Sequence, residues 1–339
     1  MLYVTTRDNR DAFTAHRALQ ENRSADGGMY LPFRHPCFTL AELDALLKKP
    51  FNQCAADILN LLFNTKLTGF DLDFSIGRRP VQFQNMGHRI MMAEAWHNPD
   101  WNFDYLVRNL SRLLRKQEAG KPGDWTRIAV RIAVLFGIFA ELRQEGFNQT
   151  MDISVVSGDF SAPISAWYAR KWGLPVGNIV CCCNDNNGLW DLFCHGQMRT
   201  DAVSIPSSTP EADIIVPAGL ERLIYECGGI AEVQRYLEIC QKGKLYSVDD
   251  EMLAKLCQGI YVSVVSGQRV NTTIPSVYRT HGYLLSPYTA LAYAGLMDYR
   301  AKTGETRNCL IVTEKSPVCD AETVAASMGI PAADLEKYI

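Results

Sequence analysis

Apolar positions along this chain fall into short continuous runs and into longer stretches at helical spacing, the patterns of buried strands and core-facing helices. Tyr3 to Arg7 reads as a short strand, and Asp11 to Gln20 as a helix with Phe13, His16 and Leu19 on one face. Ala25-Asp26-Gly27-Gly28 breaks that helix, because paired glycines suit a turn needing positive φ, and Met29 to Leu31 resumes as strand. Phe38 to Leu43 predicts a helix entered through a capping box, Thr39 leading to Glu42, and Phe51 to Phe63 predicts another.

The middle of the chain carries the same alternation. Ile90 to Ala93 is an apolar run, followed by the polar turn His97-Asn98-Pro99-Asp100. Pro99 pushes Asn98 towards extended geometry, and Asp100 or Asn102 is placed to cap the next helix, in which Phe103, Leu106, Leu110, Leu113 and Leu114 recur at helical spacing. An apolar helix is predicted from Ile128 to Leu142. Met151 to Gly158 reads as a strand and Ala162 to Lys171 as its helix, a parallel α/β unit. Ile179 to Cys183 and Leu310 to Thr313 are further buried strands. The fold class is therefore α/β, with polar turns between strand ends and helix N-termini, where such proteins hold ligands.

Composition narrows this picture. At 339 residues, 47% hydrophobic and 21% charged, the chain is globular and long enough for one large domain or two ordinary ones. A net charge of −3 provides no bulk electrostatic reason to expect nucleic acid or an anionic membrane as partner. The first residues lack an apolar signal core and no run is long enough to span a bilayer, so a cytoplasmic location is expected, with eleven cysteines kept reduced. Cys181-Cys182-Cys183, with Cys194-His195 beyond, invites a metal reading, but neighbours on a strand point to opposite faces, and small apolar residues on a buried strand is the better account.

Several segments resemble the threonine synthase family. Tyr3-Val4-Thr5-Thr6-Arg7 and Asp26-Gly27-Gly28-Met29-Tyr30-Leu31-Pro32 resemble its N-terminal signature. Trp96 to Tyr105 resembles F-H-G-P-T-L-A-F-K-D, with His97, Pro99 and Phe103 matching. Asp124-Trp125-Thr126-Arg127-Ile128 resembles N-W-x-R-I, and Ser157-Gly158-Asp159-Phe160-Ser161-Ala162 resembles the phosphate-holding loop S-G-N-F-G-D. The stretch from Gly173 through Asn184 and Asn186, Thr209 to Ile214, Gly219 to Leu223, and Gly282 to Ala290, where Ser286 and Tyr288 depart, are similar to later family segments. Thr313 falls where the family sets a hydroxyl against the cofactor's pyridine nitrogen, but Glu314-Lys315-Ser316-Pro317 follows instead of Ala-His-Pro.

The resemblance implies a mostly parallel, doubly wound sheet like the large domain of fold-type II pyridoxal-phosphate enzymes, with an N-terminal segment over 1–85 and the large domain over 86–339. It also implies two losses. Asp104 stands at the position of the family's Schiff-base lysine, and a carboxylate cannot form that bond. A small cofactor domain expected between the lysine motif and Asp124 is reduced to a linker near 116–123, too short for any domain.

The implied ligand contacts are His97, Gly158, Asp159, Phe160, Ser161, Asn184 and Thr313, with no catalytic residue, no metal and no cofactor expected. The leading expectation is a catalytically degenerate threonine synthase-like protein that binds or regulates, associating with itself or a protein partner through the face the small domain would cover. The alternative is a pyridoxal-phosphate-dependent lyase that completes its site with another chain. His97, Asp104 and Asp159 as an acid–base set is a weaker option than the same three as remnants. Trp96, Trp101 and Trp125 flank the linker, and filling a vacated space is favoured for them over lining a ligand site.

Overall fold

The computed structural model describes residues 1–116 and 123–339, so most of the expected linker lies outside the described residues. The chain opens with a small antiparallel sheet in which β1 (Leu2–Thr5) lies between β2 (Phe13–Thr14) and β3 (Tyr30–Pro32). The helix expected from Asp11 starts only at Ala15 (α1, Ala15–Gln20). Phe13 and Thr14 are drawn into pairing with Tyr3 and Leu2, and Thr14 then caps the helix by accepting from the Arg17 N–H. Its buried face is Ala15, Ala18 and Leu19, and His16 is exposed. α2 (Leu40–Leu47) begins at the Thr39–Glu42 capping box, and α3 (Phe51–Phe63) occupies the expected range. α4 (Gly69–Ile76), which the apolar pattern does not announce, is fixed by a second capping box from Thr68 and Asp71.

The remaining strands are β4 (Gln82–Asn85), β5 (Ile90–Glu94), β6 (Met151–Val156), β7 (Val176–Cys183), β8 (Gln197–Arg199), β9 (Leu245–Ser247), β10 (Ile260–Val264) and β11 (Cys309–Thr313). The remaining helices are α5 (Asp104–Leu114), α6 (Asp124–Gln144), α7 (Ser161–Lys171), α8 (Gly188–His195), α9 (Leu220–Gln241), α10 (Asp250–Leu256), α11 (Gly267–His281), α12 (Pro287–Thr303) and α13 (Ala321–Met328). The central sheet has the order β10-β7-β6-β11-β5-β4, all parallel except β4 at one edge, while β8 and β9 form a separate ribbon.

Side chains alternate between two cores, which is what makes the sheet doubly wound. Ile179, Cys181 and Cys183 enter the core shared with α3, α6 and α7, while Val180 and Cys182 enter the one shared with α11 and α12. The three cysteines thus divide between opposite faces as strand residues do. β4 precedes residue 86 yet pairs with β5, and Tyr3, Tyr30 and Leu59 share one core with Trp125, Phe136 and Tyr168. The N-terminal segment is therefore built onto the large domain. Among the described residues no helix is long and apolar enough to cross a membrane.

Candidate ligand pocket

A cavity of about 440 Å³ opens at the C-terminal ends of β6 and β11, the end of a parallel sheet that takes ligands. Val155, Val156 and Val312 from those strands give it an apolar floor, and most of its charged wall comes from α6 and from the residues that continue β11. Arg127 and Arg131 stand one helical turn apart on α6 and both reach the cavity. Arg131 is only 12% exposed; its two terminal nitrogens donate to the Glu314 carboxylate, one at 2.9 Å, and its guanidinium lies 4.7 Å over the Phe103 ring. Burial opposes the charge of Arg131, but Glu314 outweighs it and its pKa is raised on balance.

The next residue brings the cavity's lysine. Lys315 ion-pairs with Glu211 and lies 4.6 Å over the Tyr288 ring. Burial pulls its pKa down, yet Glu211 and Tyr288 raise it above the ordinary lysine value, so the group stays an ammonium. These positions are set by backbone pairing: the Phe103 N–H donates to the Glu314 carbonyl, Asn102 bridges Lys315, and the Ser316 N–H reaches the Trp101 carbonyl at 3.0 Å. That pairing corrects the expected helix start, since α5 begins at Asp104 without a side-chain cap from Asp100 or Asn102. Asp100 ion-pairs with Arg108 instead.

On the opposite wall the loop after β6 folds onto itself. The Ser161 N–H donates to Asp159 Oδ1 at 2.9 Å, and Gly219 donates to the Asp159 carbonyl. A side chain on Gly219 would bring its Cβ to 2.7 Å from that carbonyl, so the approach requires glycine. Burial raises the Asp159 pKa, but the Ser161 hydrogen bonds together with Arg131 and Arg127 carry it below the ordinary value of 3.8. A depressed carboxylate stabilises the fold above its unfolded pKa, and that contribution disappears as pH falls through the folded value. Asp159→Asn is therefore expected to flatten the acid limb of a stability–pH curve measured by urea unfolding. It should also raise phosphate affinity on the order of tenfold, from a contact repulsion of roughly 1–4 kcal/mol, with little loss of stability near neutral pH because an Asn side-chain oxygen can also accept from the Ser161 N–H. Calorimetric titration checks the second point; tight phosphate binding by the unmodified chain would contradict it.

Of the residues singled out in the sequence, Gly158, Asp159, Ser161 and Asp104 line this cavity, and His97, Phe160, Asn184 and Thr313 do not. Phe160 adopts a left-handed backbone, φ 71°, and is wholly buried in the core. The Asn184 side-chain amide donates to Ser207, Thr209 and Asp213 and serves to hold the Ser207–Asp213 segment. His97 bonds through Nε2 to the buried Glu94, which also accepts from the Tyr283 hydroxyl at 2.6 Å. An acid–base set of His97 with Asp104 and Asp159 is not assembled. Thr313 is buried and its Oγ1 accepts from the Trp96 indole N–H at 3.0 Å, with the indole stacked 4.0 Å from His97. Trp96 and Trp125 are buried filling residues, while Trp101 is 46% exposed. Arg127, Arg131, Glu211, Tyr288, Glu314 and Lys315 were not anticipated. Their signal was present as charge on an apolar helix and as departures from family motifs.

A mostly parallel sheet with a cavity beyond its strand ends, preceded by this β-α-β entry, is the fold of threonine synthases. Superposition on pyridoxal phosphate-bound threonine synthase from Brucella melitensis has a TM-score of 0.85 at 16% identity, covering 100% of this chain and 94% of that one. The yeast enzyme also superposes at 0.85 and 16% identity, over 99% and 94%. Residues 2–78 match the family profile of the threonine synthase N terminus. Threonine synthase of Pseudomonas aeruginosa is 28% identical over 179 residues, and human threonine synthase-like 1 is 24% identical over 178. These alignments take in 52% and 50% of this chain but only 38% and 24% of the relatives' lengths. The chain is thus similar to threonine synthases in sequence over about half its length and shares their fold over all of it.

Proposed function

We propose that this protein binds a small molecule in the cavity between β6, β11 and α6 and has no aldimine chemistry of its own. The observation that carries the reading is Asp104, which lines the cavity at the position where the resemblance places the Schiff-base lysine. Pyridoxal phosphate, the group that the family implies, is poorly matched to the residues present. Lys315 is held as an ammonium by Glu211, Asp159 answers the loop's Ser161 N–H from within, and Thr313 does not line the cavity. The same reading includes the loss of a small domain, supported by the fact that only residues 115–123 separate α5 from α6. It also includes a reducing, cytoplasmic setting, supported by eleven cysteines that are all free. A regulatory role follows from binding without turnover. The purified protein should show no absorbance at wavelengths longer than the ultraviolet bands of its aromatic residues; a cofactor band there would contradict the proposal.

Association through the face around Trp101 belongs to the same reading, because an exposed indole just before α5 is apolar surface of the kind that interfaces use. Trp125, buried within one chain, adds nothing to that face. Light scattering at micromolar concentration should give a mass above that of one chain, and Trp101→Ser should return it to the monomer value.

A further inference from the structure

We infer that the partner at the Trp101 face is a second copy of this chain, docked with the two α5 helices antiparallel, so that Arg112 of each copy reaches Asp104 on the rim of the other copy's cavity. The inference rests on the proposal that this face associates, and goes further by assigning the partner and the contact.

α5 and the turn before it carry charge at every fourth position: Asp100, Asp104, Arg108, Arg112 and Lys116. Residues four apart are neighbours on a helix, so the row runs from an acidic end to a basic one. Within the chain, Arg108 is answered by an ion pair with Asp100. Arg112 and Lys116 are exposed and have no ion pair among the described residues. Asp104 is 65% exposed, and its cationic neighbour Arg127 stands 3.6 Å away, past hydrogen-bond length.

The cavity rim is short of one cation. Glu314 answers Arg131 and Glu211 answers Lys315, which leaves Asp104 and Asp159 sharing Arg127. A wholly acidic partner would satisfy Arg112 but set its charge against Asp104, about 12 Å away along the helix, and a wholly basic partner would do the reverse. A second α5 laid antiparallel presents the row in reverse order. Asp104 then comes level with Arg112 of the second copy and Asp100 with its Lys116, and the two-fold symmetry repeats both contacts. Arg108 meets its own counterpart at the centre, but each carries its Asp100, so that like pair is already neutralised. A parallel arrangement would set like charge on like along the whole row. Trp101, 46% exposed, comes to the end where Lys116 of the second copy lies, and an aromatic face there accepts a cation. α5 spans 11 residues, about 16 Å, and two such helices bury less than the roughly 800 Å² per partner of a standard interface. The order of charge, more than area, therefore selects the partner, and the association is reversible.

Sedimentation equilibrium on the full chain tests this with two charge reversals, Arg112→Glu and Asp104→Arg, each measured alone and then mixed in equal amounts. Alone, each sets like charges together at both symmetric contacts and should weaken self-association at least about tenfold. In the mixture, Asp104 of one variant meets Arg112 of the other and the two introduced charges meet each other, so association should return to near that of the unmodified chain. Single variants that associate as the unmodified chain does, or a mixture that stays dissociated while circular dichroism shows both variants folded, would overturn the inference. Raising the salt should weaken association of the unmodified chain with no variant needed, and association that salt leaves unchanged would likewise overturn it. An unmodified chain that is itself a monomer removes the association proposal and this inference with it. An associating chain that Trp101→Ser dissociates and neither reversal affects leaves the association standing and overturns the α5 contact alone.

Discussion

Trp125→Ala is expected to lower the unfolding free energy by about 3–5 kcal/mol, the range for deleting a large buried aromatic. The indole is wholly inaccessible, with the rings of Tyr3 and Tyr168 each 5.8 Å away and the Arg222 guanidinium 5.8 Å over its face. It sits in the first turn of α6 and joins the N-terminal sheet, through Tyr3, to α7 of the large domain. Loss of the ring therefore removes packing from both. Urea unfolding measures the change; a loss under about 1 kcal/mol would mean that the surrounding rings collapse into the space and that Trp125 is not the wedge.

Glu314→Ala should cost nearly as much for a different reason. Arg131 would remain almost fully covered and charged without its partner, and breaking a buried pair from one side costs about 3–5 kcal/mol, towards the lower end here because Glu314 is 32% exposed. Replacing both members, Glu314→Gln with Arg131→Met, should restore most of the loss, since the methionine stem keeps the contact with Phe103 and no charge is stranded. A double variant as unstable as the sum of the two single changes would show that the pair is not coupled.

The elements that carry their own local signal were legible in the sequence. α3 and the Thr39 capping box depend on spacing and side-chain chemistry within a few residues, and the buried strands β7 and β11 on continuous apolar runs. The failures are at long range. Nothing local tells Phe13 and Thr14 to leave a helix and pair with β1, or Asn102 to leave a cap and bridge Lys315. Site residues divide the same way: Gly158, Asp159 and Ser161 lie within one recognisable loop, whereas the Arg131–Glu314 and Lys315–Glu211 pairs join positions more than one hundred residues apart. Glu314 and Lys315 were visible only as departures from a motif. Asn184 matched the family and yet holds a chain segment, because its amide is surrounded by three acceptors that the sequence places 23 to 29 residues later.

On the proposed function, the cavity holds no amine poised to take an aldehyde. Asp104 offers a carboxylate, and Lys315 offers an ammonium held by Glu211 with its pKa raised, so its free-base fraction at neutral pH is smaller than that of an ordinary lysine. The most direct test is to incubate the full chain with pyridoxal phosphate, reduce with borohydride, and map covalent adducts by mass spectrometry against a denatured control. No lysine in the native chain, Lys315 included, should be labelled above the level seen at exposed surface lysines. Stoichiometric labelling of Lys315, or of any lysine brought to the cavity by a second copy, would contradict the account.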